Sequence, residues 1–183
     1  MPENNKPDHK HEYGCAMLFI SFPSMKRVHK FISQDDIYTD PADPGYGLET
    51  EPHCTLLYGL HEEVTVEQIT AIVTKYNYGQ IMAHNMSVFE NDKFDVLKFE
   101  VSSSYLKKIN ADLQSLPHTS TYPDYKPHIT VAYLKPGTGA KYVELFKKGK
   151  IWLSPTKVVY SMVDGNSVDI AINTNIPQED EVS

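Results

Sequence analysis

The sequence has few of the residues that form cross-links or metal clusters. Only two cysteines, Cys15 and Cys54, occur among its 183 residues, too few for a disulfide scaffold or a four-ligand zinc site. No apolar run approaches the roughly 20 residues that a membrane span needs. The first segment, MPENNKPDHKHE, lacks the apolar stretch of a secretion signal. We therefore expect a cytoplasmic protein that has no contact with a membrane.

Positive charge is also scarce. The chain carries 17 Lys and Arg against 24 Asp and Glu, a formal net charge of −7, and its pI is near 5.6. A protein that grips long nucleic acid through many phosphates is usually basic. The charge balance therefore disfavours a long nucleic-acid partner, although a small anionic ligand could still occupy a local pocket.

The remaining composition indicates one folded body. Apolar residues make up 40% of the chain and charged residues 22%, which excludes a largely disordered protein. We expect a mobile tail over 1–12, a single domain over 13–172 and an acidic tail over 173–183. Strand and helix patterns mix without strict alternation, so we predict an α+β fold. Strands are predicted at 13–22, 53–58, 81–89, 94–101, 128–134, 156–162 and 168–172, and helices near 25–32, 66–76, 106–116 and 142–146.

An internal repeat is the most informative motif. Residues 52–60 read PHCTLLYGL and residues 127–135 read PHITVAYLK, so Pro, His, Thr and Tyr recur at the same offsets. Each copy follows a long polar loop (34–52 and 117–127) and precedes a helix. One His-x-Thr is weak evidence, but two framed copies predict a duplicated unit and two lobes related by a pseudo-twofold axis.

Strand geometry places the histidine and the threonine of each copy on one face. Side chains at i and i+2 share a face and lie roughly 6–7 Å apart, so His53 and Thr55 form one pair and His128 and Thr130 the other. The opposite face is apolar and is expected to pack against helices, with Tyr58 and Tyr133 in the core. If the two units face each other, two imidazoles and two hydroxyls line one cleft.

Such a set suits phosphodiester cleavage without a metal. One group must take a proton from the attacking oxygen and another must protonate the departing one, and histidine can do either near neutral pH. Threonine hydroxyls can hold the non-bridging phosphate oxygens. Neither a metal nor another cofactor is required. Cys54 lies between His53 and Thr55, but adjacent strand residues point to opposite faces, so we reject it as a nucleophile.

The paired segments Pro52–Thr55 and Pro127–Thr130 resemble the two signatures of the 2H phosphoesterase superfamily. The resemblance implies a bilobal fold with two antiparallel sheets and flanking helices around a central cleft. It assigns acid and base roles to His53 and His128, and phosphate binding to Thr55 and Thr130. The segments EPHCTLLYGL and YKPHITVAYLKPG are most similar to those of the phage anti-CBASS phosphodiesterases.

That likeness implies cleavage of the 3′–5′ linkages of cyclic di- and trinucleotide messengers in the host cytoplasm, as a phage evasion of CBASS immunity. A small cyclic oligonucleotide is then the expected partner, with no obligate protein partner. Two alternatives stay open: a 2′,3′-cyclic phosphodiesterase acting on RNA or tRNA ends, and a catalytically silent nucleotide-binding module. Tyr13, Tyr122 and Trp152 are candidates for stacking on a nucleobase. The remaining histidines, His29 among them, are expected on the surface or in loops.

Overall fold

The computed structural model describes residues 11–120 and 124–174. Within these ranges the strands pair antiparallel, which confirms the predicted α+β class. The strands are β1 (Gly14–Ser21), β2 (His53–Leu60), β3 (Ile81–Glu90), β4 (Asp95–Ser102), β5 (His128–Leu134), β6 (Lys150–Ser161) and β7 (Ser167–Ile170). The α-helices are α1 (Met25–Lys30), α2 (Val66–Val73), α3 (Leu106–Leu113) and α4 (Ala140–Val143).

All seven strands belong to one hydrogen-bonded sheet in the order β1-β2-β5-β4-β3-β6-β7, and β1 also pairs with β6. The two expected sheets are thus its two halves, β2-β1-β6-β7 and β5-β4-β3-β6. They are joined because β6 is long enough to pair with β3 through residues 150–153 and with β1 through residues 154–161. A single residue pair, Cys54 with Ile129, joins β2 to β5 on the other side.

The repeat seen in the sequence recurs in the topology. The order β1-α1-β2-α2 is repeated as β4-α3-β5-α4, and in each unit the first strand pairs antiparallel with the strand that carries the His-x-Thr motif. The Pro52 carbonyl accepts from the Ile20 amide, and the Pro127 carbonyl accepts from the Val101 amide. Equivalent strands and hydrogen bonds therefore relate the two units by a pseudo-twofold axis.

Helices cover one face of the sheet, and they do so crosswise. Helix α1 of the first unit packs against β5 of the second, while α3 of the second packs against β2 of the first. The core between helices and sheet contains fully buried Leu18, Leu56, Ile109 and Val131. We call the other face, which carries the His-x-Thr side chains, the site face.

Each motif strand bulges immediately after its threonine. Along β2 the partner register skips Leu56, and along β5 it skips Val131. A bulge adds one residue and reverses the alternation beyond it, so Leu56 and Leu57 are both buried and Tyr58 is 39% exposed. The expectation that Tyr58 belongs to the core is therefore wrong, because the strand does not alternate regularly.

The described parts of both long loops dock on motif strands of the opposite unit. The Tyr38 amide donates to the Tyr133 carbonyl, and the Glu49 amide donates to that of Val131, so the first loop covers the outer edge of β5. In the second loop, the Thr119 amide donates to the Gly59 carbonyl. Gly59 has a φ of +110°, and a Cβ there would collide with the Thr119 carbonyl oxygen. Docking of this loop therefore requires glycine at position 59.

Other local expectations hold with shifted boundaries. The capping box of α2 forms between Thr65 and Gln68. The helix predicted near 25–32 ends at Lys30, and Phe31, directly after it, is 61% exposed. No helix in the described ranges is long and apolar enough to cross a membrane. The predicted tails fall largely on residues 1–10 and 175–183, which lie outside the described residues.

Candidate functional site

The one backbone-paired residue pair between β2 and β5 brings the two motifs together. Cys54 and Ile129 are antiparallel partners and are both fully buried. One residue to either side, the same register sets His53 beside Thr130 and Thr55 beside His128. Directly opposed residues have Cβ atoms roughly 4.5–5.5 Å apart. All four side chains are half-buried on the site face, so they form one compact patch at the junction of the units.

The two imidazoles are oriented in the same way. His53 Nδ1 lies 2.8 Å from the Glu51 carbonyl oxygen, and His128 Nδ1 lies 3.0 Å from that of Lys126. Because a carbonyl only accepts, Nδ1 carries the proton in both rings. The other ring nitrogen, Nε2, is then left to accept a proton in the neutral form or donate one in the charged form. In both rings Nε2 is therefore the nitrogen that can exchange a proton with a neighbouring group.

The surroundings of the two pairs differ. On β1, Phe19 is the partner of His53, with stacked ring centroids 5.5 Å apart, and Met17 is the partner of Thr55. On β4, the corresponding partners are Glu100 for His128 and Lys98 for Thr130. The strand partners are therefore apolar in the first half of the patch and charged in the second. Lys157 of β6 places its Nζ 5.3 Å from the Phe19 ring centroid, at the border of the first half.

The pKa of His128 is lowered from its ordinary value of 6.5. Burial is the main cause, because it penalises the charged ring, and the hydrogen bond to the Lys126 carbonyl opposes it. The positive charge of Lys98 and that of a protonated His53 lower this pKa further. The influence of His53 also shows that the two rings are close enough to interact electrically.

Each bulge is held by a helix side chain from the other unit. Asn110 of α3 donates Nδ2–H to the Leu56 carbonyl oxygen at 2.7 Å. His29 of α1 donates Nε2–H to the Val131 carbonyl oxygen at 3.0 Å. We call these two bonds the reciprocal clamps. They bind carbonyls at the bulges, where regular pairing is interrupted, and so they support the strand segments that carry the threonines. The Val131 carbonyl also accepts from the Glu49 amide.

A further bond joins the approach to the second motif with the first motif. The Tyr125 hydroxyl donates to the Thr55 carbonyl oxygen at 2.8 Å, and it lies 3.9 Å from the Cys54 sulfur. Burial raises the pKa of the Cys54 thiol to about 12, so the thiol is protonated near neutral pH and faces the core. The rejection of Cys54 as a nucleophile agrees with this placement.

Two of the three stacking candidates, Tyr13 and Trp152, lie away from the histidines along the strands or across the sheet. Tyr13 precedes β1 and stacks on His61 with ring centroids 6.1 Å apart. It lies six residues from Phe19, or about 20 Å along an extended strand. Trp152 is 63% exposed on the site face of β6, three strands from β5 in the sheet order. Tyr122 lies outside the described residues.

Sequence reasoning missed three residues around the motifs. Lys98 alternates with buried Leu97 and Phe99, a pattern that places it on the polar face of β4. That pattern does not reveal that β4 lies beside the second motif. His29 was expected on the surface, and Asn110 carried no sequence signal, yet both form clamps. Within residues 11–120 and 124–174 no cluster of three or more His, Cys, Asp or Glu could hold a metal ion.

Comparison with known proteins adds a family and a fold. The family model described as anti-CBASS protein Acb1 matches residues 48–164, a range that includes both motifs. No curated protein matches the chain in sequence. Among solved structures, the chain is similar to Usb1 of Kluyveromyces marxianus with uridine monophosphate, at a TM-score of 0.57 and 9% identity over 90% of this chain and 100% of Usb1. It is also similar to the apo form of LigT of E. coli, at a TM-score of 0.46 and 16% identity over 90% of this chain and 100% of LigT.

Proposed function

Because this chain belongs to the anti-CBASS protein Acb1 family, we propose that it cleaves the 3′–5′ linkages of cyclic di- and trinucleotide messengers. Family and 2H phosphoesterase fold together indicate a phosphodiesterase that acts against CBASS. The substrate and the mechanism are the finer part of the proposal. They depend on one observation: the β2–β5 register sets both His-x-Thr pairs side by side on the site face.

The chemistry follows from this arrangement. A neutral histidine accepts a proton at Nε2 from the ribose 2′-hydroxyl, and the 2′-oxygen attacks phosphorus. The bond from phosphorus to the 5′-oxygen breaks, and the second histidine, protonated at Nε2, gives its proton to the departing oxygen. A 2′,3′-cyclic phosphate is formed. With the proton roles reversed, water then opens the cyclic phosphate to a 3′-phosphate.

The threonines act on the phosphate rather than on protons. Thr55 and Thr130 lie on opposite strands of the same patch, so their hydroxyls can donate to non-bridging oxygens while the histidines lie on either side of phosphorus. Donors fixed in place stabilise the extra negative charge of the transition state without reorganising. The protein's own side chains supply all of these roles, and the proposed mechanism requires no metal.

A mass-spectrometric screen tests this proposal. The wild-type chain is incubated in EDTA with cyclic mono-, di- and trinucleotides and with RNA that carries 2′,3′-cyclic phosphate ends. We expect linear products from a cyclic di- or trinucleotide. His53→Ala and His128→Ala should each lower the rate by about 10²–10⁴-fold, the usual contribution of one proton transfer.

His61→Ala is the matched control, since His61 lies beyond the far end of β2 and bonds Thr119. It should keep the wild-type rate. Turnover of RNA ends alone would assign the RNA alternative, and recovery of every ligand unchanged would indicate a binding module. Full activity in both single variants, His53→Ala and His128→Ala, would refute the proposed catalytic pair.

A further inference from the structure

The pseudo-twofold axis makes the two halves of the site comparable position by position. Met17 and Lys98 are equivalent, because each is the strand partner of the motif threonine in its own unit. Both side chains are half-buried on the site face. A scaffold that repeats its histidines, threonines, bulges and clamps thus differs here by one full positive charge.

The charge on Lys98 is held next to the site without a carboxylate partner. Its Nζ donates to Ser87 Oγ at 2.9 Å. Ser87 lies on β3, on the side of β4 away from β5, yet the charge of Lys98 still acts on His128 of β5. Among the described residues, 11–120 and 124–174, no Asp or Glu oxygen lies within ion-pair distance of Lys98. Burial lowers the pKa of this lysine, and the nearby charge of Glu100 opposes that shift.

Holding a half-buried cation in this way costs free energy, because the ammonium loses water without gaining a counter-ion. An anion bound beside Thr130 would supply the missing counter-charge. The strand partners of the motif residues on β1 and β4 are Phe19, Met17, Glu100 and Lys98. Lys98 is the one of these four that can neutralise a phosphate, and the charge of Lys126 also acts near it.

We propose that Lys98 is a third phosphate-binding residue, whose ammonium contacts one non-bridging oxygen of the scissile phosphate beside Thr130. This inference deepens the proposed function and rests on it. Because Met17 occupies the equivalent position, only one of the two non-bridging oxygens receives a charged contact. The site therefore distinguishes the two oxygens, although its histidines and threonines are arranged symmetrically.

Phosphorothioate substrates test this asymmetry. Lys98→Met reproduces the side chain that the other unit carries at the equivalent position, so it should fold, which thermal unfolding checks. The Rp and Sp phosphorothioates of the cyclic dinucleotide that wild type cleaves are compared. We expect wild type to prefer one diastereomer. Lys98→Met should lose about 100-fold in kcat/KM on the unmodified substrate, as for one transition-state donor, and should lose most of the stereochemical preference.

Lys98→Arg and Lys108→Met serve as matched variants. Lys98→Arg keeps the charge and should keep the preference. Lys108→Met removes the same charge from the exposed surface of α3 and should behave as wild type. Near-wild-type activity in Lys98→Met, or a loss that leaves its preference for one diastereomer unchanged, would overturn the inference.

Calorimetric binding of inorganic phosphate separates this inference from the proposed function. We expect Lys98→Met to weaken phosphate binding roughly tenfold, as for the loss of one charge-assisted hydrogen bond. If wild type cleaves no nucleotide but binds phosphate through Lys98, the proposed function fails and the phosphate contact stands. Equal phosphate affinity in wild type and Lys98→Met would refute the contact itself.

Discussion

At the scale of single residues, the two histidines share an orientation but not an environment. Each donates Nδ1–H to the carbonyl two residues earlier, which leaves Nε2 for the substrate. His128 alone lies beside Lys98 and Glu100 on β4, whereas His53 stacks on Phe19. Equal motifs in unequal surroundings are a recurrent way to separate the ionisation of two catalytic groups.

The lowered pKa of His128 has a defined consequence for the pH dependence of activity. A base must be neutral, and less than half of His128 is neutral only when the pH is below its lowered pKa. If His128 is the group whose protonation stops the reaction, the acid limb of kcat/KM should have its midpoint below 6.5. A pH profile of wild type measures this midpoint, and a midpoint above 6.5 would contradict the prediction.

Lys98→Met should move that same midpoint to higher pH. The positive charge of Lys98 disfavours the protonated ring, so its removal lets His128 take a proton more easily. The charge of His53 and the hydrogen bond to the Lys126 carbonyl also act on this pKa, and Glu100 is the strand partner of His128. All three are unchanged in the variant. Lys108→Met, on the helix side of the sheet, should leave the midpoint in place.

The repeat made the four motif residues predictable, because a pattern that occurs twice is improbable by chance and strand alternation assigns its faces. Lys98 could not be found in the same way. Its proposed role depends on β4 lying beside β5. The local sequence pattern does not indicate which strands are neighbours in the sheet. Long-range register is therefore the information that the motif search lacked.

At the scale of secondary-structure elements, the reciprocal clamps connect each bulge to a helix of the other unit. His29 and Asn110 occupy equivalent helix positions and bond equivalent carbonyls. The same task is thus done by an imidazole in one unit and an amide in the other. Because the two side chains are equivalent, one should be able to replace the other. A role of His29 in packing alone would not predict this.

His29→Asn should preserve the clamp on Val131, whereas His29→Leu should remove it. Loss of this donor removes one net hydrogen bond, worth about 0.5–1.5 kcal/mol, because the Val131 carbonyl keeps the bond from the Glu49 amide. We therefore expect urea unfolding to show a larger loss of stability for His29→Leu than for His29→Asn. Asn110→Leu, at the equivalent position, should also be destabilised, because it removes the donor to the Leu56 carbonyl. Equal stability of the two His29 variants would contradict the clamp.

The boundaries of helices and strands were predictable where the local sequence pattern was clear. The predictions were wrong where tertiary packing determines where an element begins or ends. The helix predicted over 66–76 does begin at Val66, and the strand predicted at 94–101 is β4, displaced by one residue. The start of β6 at Lys150 was missed, because Pro155 normally marks the edge or end of a strand. Here Pro155 lies where β6 changes its partner from β3 to β1, so the interruption is part of the sheet.

At the scale of the whole molecule, the shared strand and the crossed helices make the two halves mutually dependent. β6 contributes to both halves of the sheet, and each motif strand is covered by a helix of the other unit. Local unfolding of one half would expose core residues of the other. We expect the two units to unfold as one cooperative body.

Leu18→Ala tests this expectation. Leu18 is fully buried in β1, and truncation of such a leucine costs about 2–5 kcal/mol. We compare two losses in the variant: the loss of its free energy of global unfolding, and the loss of protection of the slowest-exchanging amides of β4, in the other unit. Native-state hydrogen exchange should show that the two losses are equal. Leu97→Ala in β4 should have the reciprocal effect on β1. Unchanged protection of β4 in Leu18→Ala would mean that the halves unfold separately.

The crossed packing of α1 on β5 and of α3 on β2 also bears on the origin of the chain. A lone copy of the repeat would make a helix with no strand to cover and a motif strand with no helix over it. An ancestor encoding only one copy would need a second identical polypeptide to supply the missing halves, as an intertwined homodimer. Fusion of two such genes would then let each copy diverge. An identical pair of chains carries the same residue beside both threonines, whereas a fused chain can carry Met17 beside Thr55 and Lys98 beside Thr130.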